Sequence, residues 1–233
     1  MLSKGLSGTM QRVMLAGGVA LALGAGIATS AASAATTATA CTPLQLVYAR
    51  GTTEAMNPYG SYLGNDLVAD MDADVPGTGF YQVNYPAGLE PNSEQTGNAD
   101  LVSHVEAQIA ACPGEKFVLA GYSQGANVVA DSFGLNTSKA VVGGASVAQL
   151  PLSDAADVSA VLMFGPPYNQ IPETIPAPWS SVLDQFCTVG DIFCSTSPNA
   201  ILGLIIHLNS YKPTDLSLGT AYAEANFKSG KVA

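Results

Sequence analysis

Apolar and polar positions alternate along the chain in two rhythms, and the switch between them predicts the order of elements. Residues 44–51, "LQLVYARG", are a short apolar and β-branched run closed by glycine, the pattern of a buried strand. In "YGSYLGNDLVADMDA" (59–73), Tyr62, Leu63, Leu67, Val68 and Met71 recur at the spacing of one helical face. A second strand is expected over 79–88, "GFYQVNYPAG". Leu101, Val102, Val105 and Ile109 then predict a helix over 98–112, with Asn98 as its N-cap and "PG" as its stop. "KFVLAGYS" (116–123) reads as a third strand and "GANVVADSFG" (125–134) as a helix. Residues 158–167 and, more weakly, 182–189 read as strands four and five, and 217–230 as the last helix.

Strands alternating with helices at this spacing imply a mostly parallel sheet of five strands, covered by helices on both faces in a three-layer α/β/α sandwich. The proline-rich stretch "GPPYNQIPETIPAPWS" (165–180) holds the only tryptophan and reads as a surface loop. No internal repeat is visible.

The first 40 residues stand outside this rhythm. Lys4 and Arg12 precede or flank the apolar run "VMLAGGVALALGAGIA", and small polar residues follow. This is the layout of a secretory signal peptide, with A-x-A cleavage sites ending at Ala34 or Ala40. The run is short and broken by glycine, where a spanning helix needs about 20 apolar residues. A lipid-modified Cys41 is disfavoured because Ala38, not a large aliphatic, stands three residues before it. The expectation is a secreted protein with one domain over 41–233.

Charge narrows the partners. Of 8 basic residues, Lys4 and Arg12 fall in the leader, whereas all 18 acidic residues lie beyond it. So acidic a chain repels nucleic acid and anionic membranes, so no nucleic-acid partner is expected. Nothing in the sequence calls for a partner subunit, and a monomer is expected.

The four cysteines, Cys41, Cys112, Cys187 and Cys194, suit two disulfides in an exported chain. Three connectivities are open, and proximity favours Cys187–Cys194, which leaves Cys41–Cys112. With no C-x-x-C and only 2 histidines, neither a metal site nor a cofactor is expected.

Candidate chemistry centres on Ser123 in "AGYSQGANVV". G-x-S-x-G alone is weak evidence, because a chain rich in Gly and Ser meets it by chance. A strand ending just before the serine and a helix starting just after it change the reading to a nucleophile elbow. A serine nucleophile needs a base. His104 precedes it and reads as a partly exposed helix residue, whereas His207 follows it in the loop-like "LIIHLNSYKP". The chain order Ser, acid, His selects His207. By order Asp131, Asp154, Asp157, Glu173, Asp184 and Asp191 can all supply the acid. Only Asp191 lies inside the Cys187–Cys194 interval, where a disulfide would restrain its carboxylate; Asp184 is the reserve.

"YARGTTE", "GYSQG", "CTVGDIFC" and "HLNSY", together with the cysteine positions, resemble the cutinase family of secreted serine esterases over nearly the whole stretch from Cys41 onward. The resemblance implies a lidless α/β-hydrolase with a triad of Ser123, Asp191 and His207. It also implies an oxyanion hole at Thr52 and Gln124. Thr rather than Ser at position 52 is similar to the bacterial branch. The long apolar segment between Asp191 and His207 departs from the fungal pattern and leaves the preferred acyl length open. The expected activity is hydrolysis of short- to medium-chain carboxylic esters. Lipase or phospholipase A action, acetylxylan-type deacylation, thioester cleavage and non-catalytic lipid binding are the alternatives. Leu89, Ile205 and Ile206, set among other apolar residues in "PAGLE" and "AILGLIIHL", are candidates for a substrate-binding rim that would also dock on a lipid or polymer surface.

Overall fold

The computed structural model describes residues 40–56 and 62–233; the leader and the first residues of the helix expected over 59–73 lie outside these. The strands are β1 (Leu44–Ala49), β2 (Gly79–Gln82), β3 (Lys116–Tyr122), β4 (Val158–Phe164) and β5 (Leu183–Phe186). The helices are α1 (Gly64–Asp74), α2 (Ser93–Ala111), α3 (Gln124–Asp131), α4 (Ala200–Asn209) and α5 (Thr214–Ser229). All strand pairs are parallel and the order is β2-β1-β3-β4-β5.

The three inner strands are apolar almost throughout because both faces of the sheet are covered. Side chains alternate between two cores, as the two-residue period of a strand requires. Val47, Ala49, Leu119, Val161 and Met163 pack with Leu101 and Val105 of α2 and Val128 and Val129 of α3. Leu46, Tyr48, Val118, Ala120, Leu162 and Phe164 pack on the other face with Leu67 and Met71 of α1 and Leu216 and Ala223 of α5.

Several local expectations are corrected. Helix α2 begins five residues earlier than its apolar spacing suggests, at Ser93. Asn98 therefore lies within the helix, and its side chain accepts from the N–H groups of Val147 and Ala148 and donates to the Ala148 carbonyl. His104 is fully buried, not partly exposed: Nε2 lies 2.7 Å from Gln45 Oε1 and the ring stacks on Tyr81 at 3.4 Å. Its apolar surroundings lower its pKa to about 4, so it is neutral. The segment before β5 is partly 3₁₀ and buries Trp179 against Phe133, so it is not simply a surface loop. His207 sits in the last turn of α4, not in a loop.

Both disulfides, Cys41–Cys112 and Cys187–Cys194, are formed. Among the described residues no helix is long and apolar enough to cross a membrane, and no cluster of His, Cys, Asp and Glu could hold a metal.

Candidate active site

Ser123 occupies the turn between β3 and α3 with φ 54° and ψ −120°, a conformation L-residues avoid at a cost of about 1–3 kcal/mol. Two backbone bonds fix it: Ser123 N–H donates to Phe164 O (2.9 Å), and Ala126 N–H donates to Ser123 O (2.9 Å). The flanking glycines make the turn sterically feasible. A Cβ on Gly121 would lie 2.3 Å from the Gly125 carbonyl oxygen, and one on Gly125 would lie 1.9 Å from that of Ala49. The first turn of α3 thus rests directly on the end of β1, and Ser123 as a residue is 8 % exposed.

Asp191 lies at the centre of the loop that Cys187–Cys194 closes, and its carboxylate is completely buried. Oδ1 accepts from Phe193 N–H (2.7 Å), while Oδ2 accepts from His207 Nδ1 (2.7 Å) and from the Tyr211 hydroxyl. Burial alone would raise the pKa, but these donors together outweigh it and hold Asp191 below the usual carboxylate range. Asp184, the reserve acid, is in β5, and the carboxylate paired with His207 is that of Asp191.

A carboxylate can only accept, so Nδ1 of His207 carries a proton, and in the neutral ring Nε2 presents its lone pair. Nε2 is buried and, among the described residues, hydrogen-bonds to no atom, Ser123 Oγ included. Such contacts often close only when substrate arrives. The imidazole stacks on Tyr122 at 5.0 Å and meets the edge of Phe193 at 4.6 Å, while Tyr122 donates its hydroxyl to the His207 carbonyl (2.9 Å). Beneath it lies Gly165, with φ +57°, where a Cβ would come within 2.8 Å of His207 Cε1.

Thr52 follows β1, and its buried hydroxyl has no hydrogen-bond partner among the described residues. The segment Tyr85–Gly88 ties it to Gln124: Thr53 N–H donates to Ala87 O (2.7 Å) and Gln124 Nε2 to Gly88 O (3.0 Å). That segment is itself clamped to Arg50, whose Nη2 donates to Tyr85 O while the Tyr85 hydroxyl donates back to Arg50 O. Glu54 closes the turn by accepting from the N–H groups of Gly51 and Tyr62. Arg50 and Glu54 stand in the quoted "YARGTTE", so their letters are visible in the sequence although their roles are not. Tyr211 likewise closes the quoted "HLNSY" without its role being visible, and for Gly165 and Tyr85 no local signal exists, because each contact crosses between distant elements.

Leu89 is 78 % and Ile205 52 % exposed, and Ile206 is half-buried, its Cδ1 lying 3.0 Å from where a Cβ on Gly190 would stand. Ile201, Leu202, Leu204 and Leu208 of α4 are exposed as well. A cavity of about 430 Å³ lies between Gly88–Gln95, Gln124 and Val142–Gly143. It borders Gln124 but not Ser123, and so adjoins the serine elbow without containing it.

The cutinase family model matches residues 40–221. The protein named probable carboxylesterase Culp3 of Mycobacterium tuberculosis is 29% identical over 199 residues, which are 82% of this chain and 72% of that protein. Carboxylesterase Culp1 of Mycobacterium bovis is 32% identical, over 68% of this chain and 71% of its own length. A cutinase of Kineococcus radiotolerans is 30% identical, over 70% of this chain and 55% of its own. Among solved structures, an acetylxylan esterase superposes with a TM-score of 0.65 at 23% identity, covering 80% of this chain and 99% of that one. A cutinase-like protein from Cryptococcus gives 0.61 at 21% identity, covering 82% and 98%. With the family model spanning most of the sequence and the same fold in solved esterases, the chain belongs to the cutinase family of carboxylic ester hydrolases.

Proposed function

We propose that the protein is a secreted serine esterase that cleaves short- to medium-chain carboxylic esters through Ser123, His207 and Asp191. The observation that carries this reading is the buried 2.7 Å pair of Asp191 and His207, presented with a strained serine elbow in one fold. Neutral His207 takes the Ser123 proton as Oγ attacks the ester carbonyl. The backbone N–H groups of Thr52 and Gln124, with the Thr52 hydroxyl, then hold the oxyanion. The alcohol leaves with the proton from His207. Water, deprotonated by the same imidazole, releases the carboxylic acid and restores the serine.

The four cysteines and the leader-like N-terminus support an extracellular setting. The exposed apolar face of α4, with Leu89 beside Gln124 on the cavity wall, supports docking on a lipid or polymer surface. Rates on p-nitrophenyl esters from acetate to palmitate, with Leu89→Ser/Ile205→Asp alongside the parent, test both ideas. Rates should peak at short to medium chains, and the double variant should lose emulsion binding and butyrate turnover at unchanged Tm. Both side chains are already exposed, so their removal costs little folding energy. Unchanged turnover and binding with a lower Tm would defeat the rim.

A further inference from the structure

The Tyr211 hydroxyl donates to Oδ2 of Asp191, the same oxygen that accepts the Nδ1 proton of His207. Tyr211 is fully buried in the short connection between α4 and α5. Its main chain is anchored by Leu216 N–H (3.2 Å), and its ring sits edge-on to Phe164, Tyr122 and His207. A buried phenol beside a carboxylate keeps its proton, since burial first and the neighbouring negative charge second push its pKa far up. It is therefore a permanent donor across the working pH range. That hydroxyl also neighbours the backbone of Thr188 and Cys194 Sγ (3.5 Å), both on the loop that the disulfide closes around the acid.

We propose that Tyr211 is a positioning residue for the candidate triad: it fixes Oδ2 of Asp191 and shares its negative charge, and so sets how strongly the carboxylate holds the imidazolium of His207. The proposal rests on the triad reading above. Without Tyr211 the charge on Oδ2 is borne by one fewer donor and the carboxylate gains a degree of freedom. The imidazolium is then retained to higher pH, and the ring is aimed less well at Ser123. Other ionisable groups around the cluster are Tyr122 of β3 and, through it, Tyr62 and Glu54; Lys212 is engaged with Asp66 at 2.6 Å. None of these donates to Asp191.

The test is Tyr211→Phe, which keeps the ring and removes only the hydroxyl. It is assayed as kcat/KM from pH 4.5 to 9 per active site titrated with a fluorophosphonate. Loss of one charge-assisted hydrogen bond should lower kcat/KM about tenfold at pH 7. KM should stay unchanged, because Tyr211 is sealed from solvent. The acid limb should move to higher pH. In an Asp191→Asn background, where no charge remains to share, the same substitution should leave the limb where it is. 3-Fluorotyrosine at position 211, a stronger donor in the same shape, should move the limb to lower pH; it decides the matter should the Phe variant fold poorly. An unmoved limb in the 3-fluorotyrosine protein, or a Phe variant that loses titratable sites but keeps its rate per site, overturns the proposal. Failure of the parent itself to be titrated at Ser123 would instead overturn the triad reading.

Discussion

Gly165 shows how much of the site depends on a single missing atom. Its φ of +57° already disfavours a side chain, and any Cβ would stand 2.8 Å from Cε1 and 3.0 Å from Nδ1 of His207. The strain of Gly165→Ala should cost about 1–2 kcal/mol. For a domain of this size that lowers Tm by about 2–8 °C. The displaced ring should cost far more in rate, about 100-fold in kcat, because angstrom-scale misplacement has that effect. Gly114 supplies the control. It has φ +94° with nothing within 4 Å, so Gly114→Ala should lower Tm and leave kcat intact. Equal rates in the two variants would show that the ring position does not govern turnover. At this scale the sequence discloses Ser123, Asp191 and His207 as candidates, because chain order and the short disulfide interval are one-dimensional facts. Gly165 stays hidden, and Tyr211 is only a letter of "HLNSY", because their importance lies in which distant atoms they meet.

Elements were legible where a period was clean and illegible where packing overrode it. The inner strands follow from their apolar runs, whereas β2 is shorter than its sequence suggests: pairing with β1 ends at Gln82, although Val83 N–H still reaches Tyr48 O. Helix α4 was missed because it is apolar nearly all round, with no polar stripe to mark a face. Its one clear signal is Asn199, whose Oδ1 caps the helix by accepting from Leu202 N–H (2.9 Å). The early start of α2 has a consequence for stability. It places Glu94 in the first turn, buried against Asp131 at the end of α3, which in turn accepts from Thr137 N–H and Oγ1. Burial first, and then the Asp131 carboxylate, raise Glu94 well above its ordinary 4.5, so the pair keeps a proton at neutral pH. An unfolded Glu94 releases that proton above about pH 4.5, so the unfolded state gains as pH rises from there and stability falls. Thermal melts at pH 6 and pH 9 should show a drop that Glu94→Gln largely removes. Parallel drops in both proteins would mean the pair is not the cause.

For the whole molecule, the parallel five-stranded sheet and its two helical layers were readable from alternation alone, but the strand order was not, because it depends on which crossovers pack on which face. That order brings the ends of β1, β3 and β4 side by side, with the Thr52 turn, the Ser123 elbow and Gly165 following them. The disulfide loop after β5 and the last turn of α4 complete the site. On the proposed reading, two distant segments thus supply a base and an acid for a serine that the ends of the central strands hold in a strained turn. The account stands or falls on whether Ser123 is the nucleophile. Intact protein should take up one fluorophosphonate per chain, on the peptide holding Ser123, and Ser123→Ala should abolish both labelling and p-nitrophenyl butyrate hydrolysis while folding normally. A label on another residue, or hydrolysis that survives in Ser123→Ala, would contradict it.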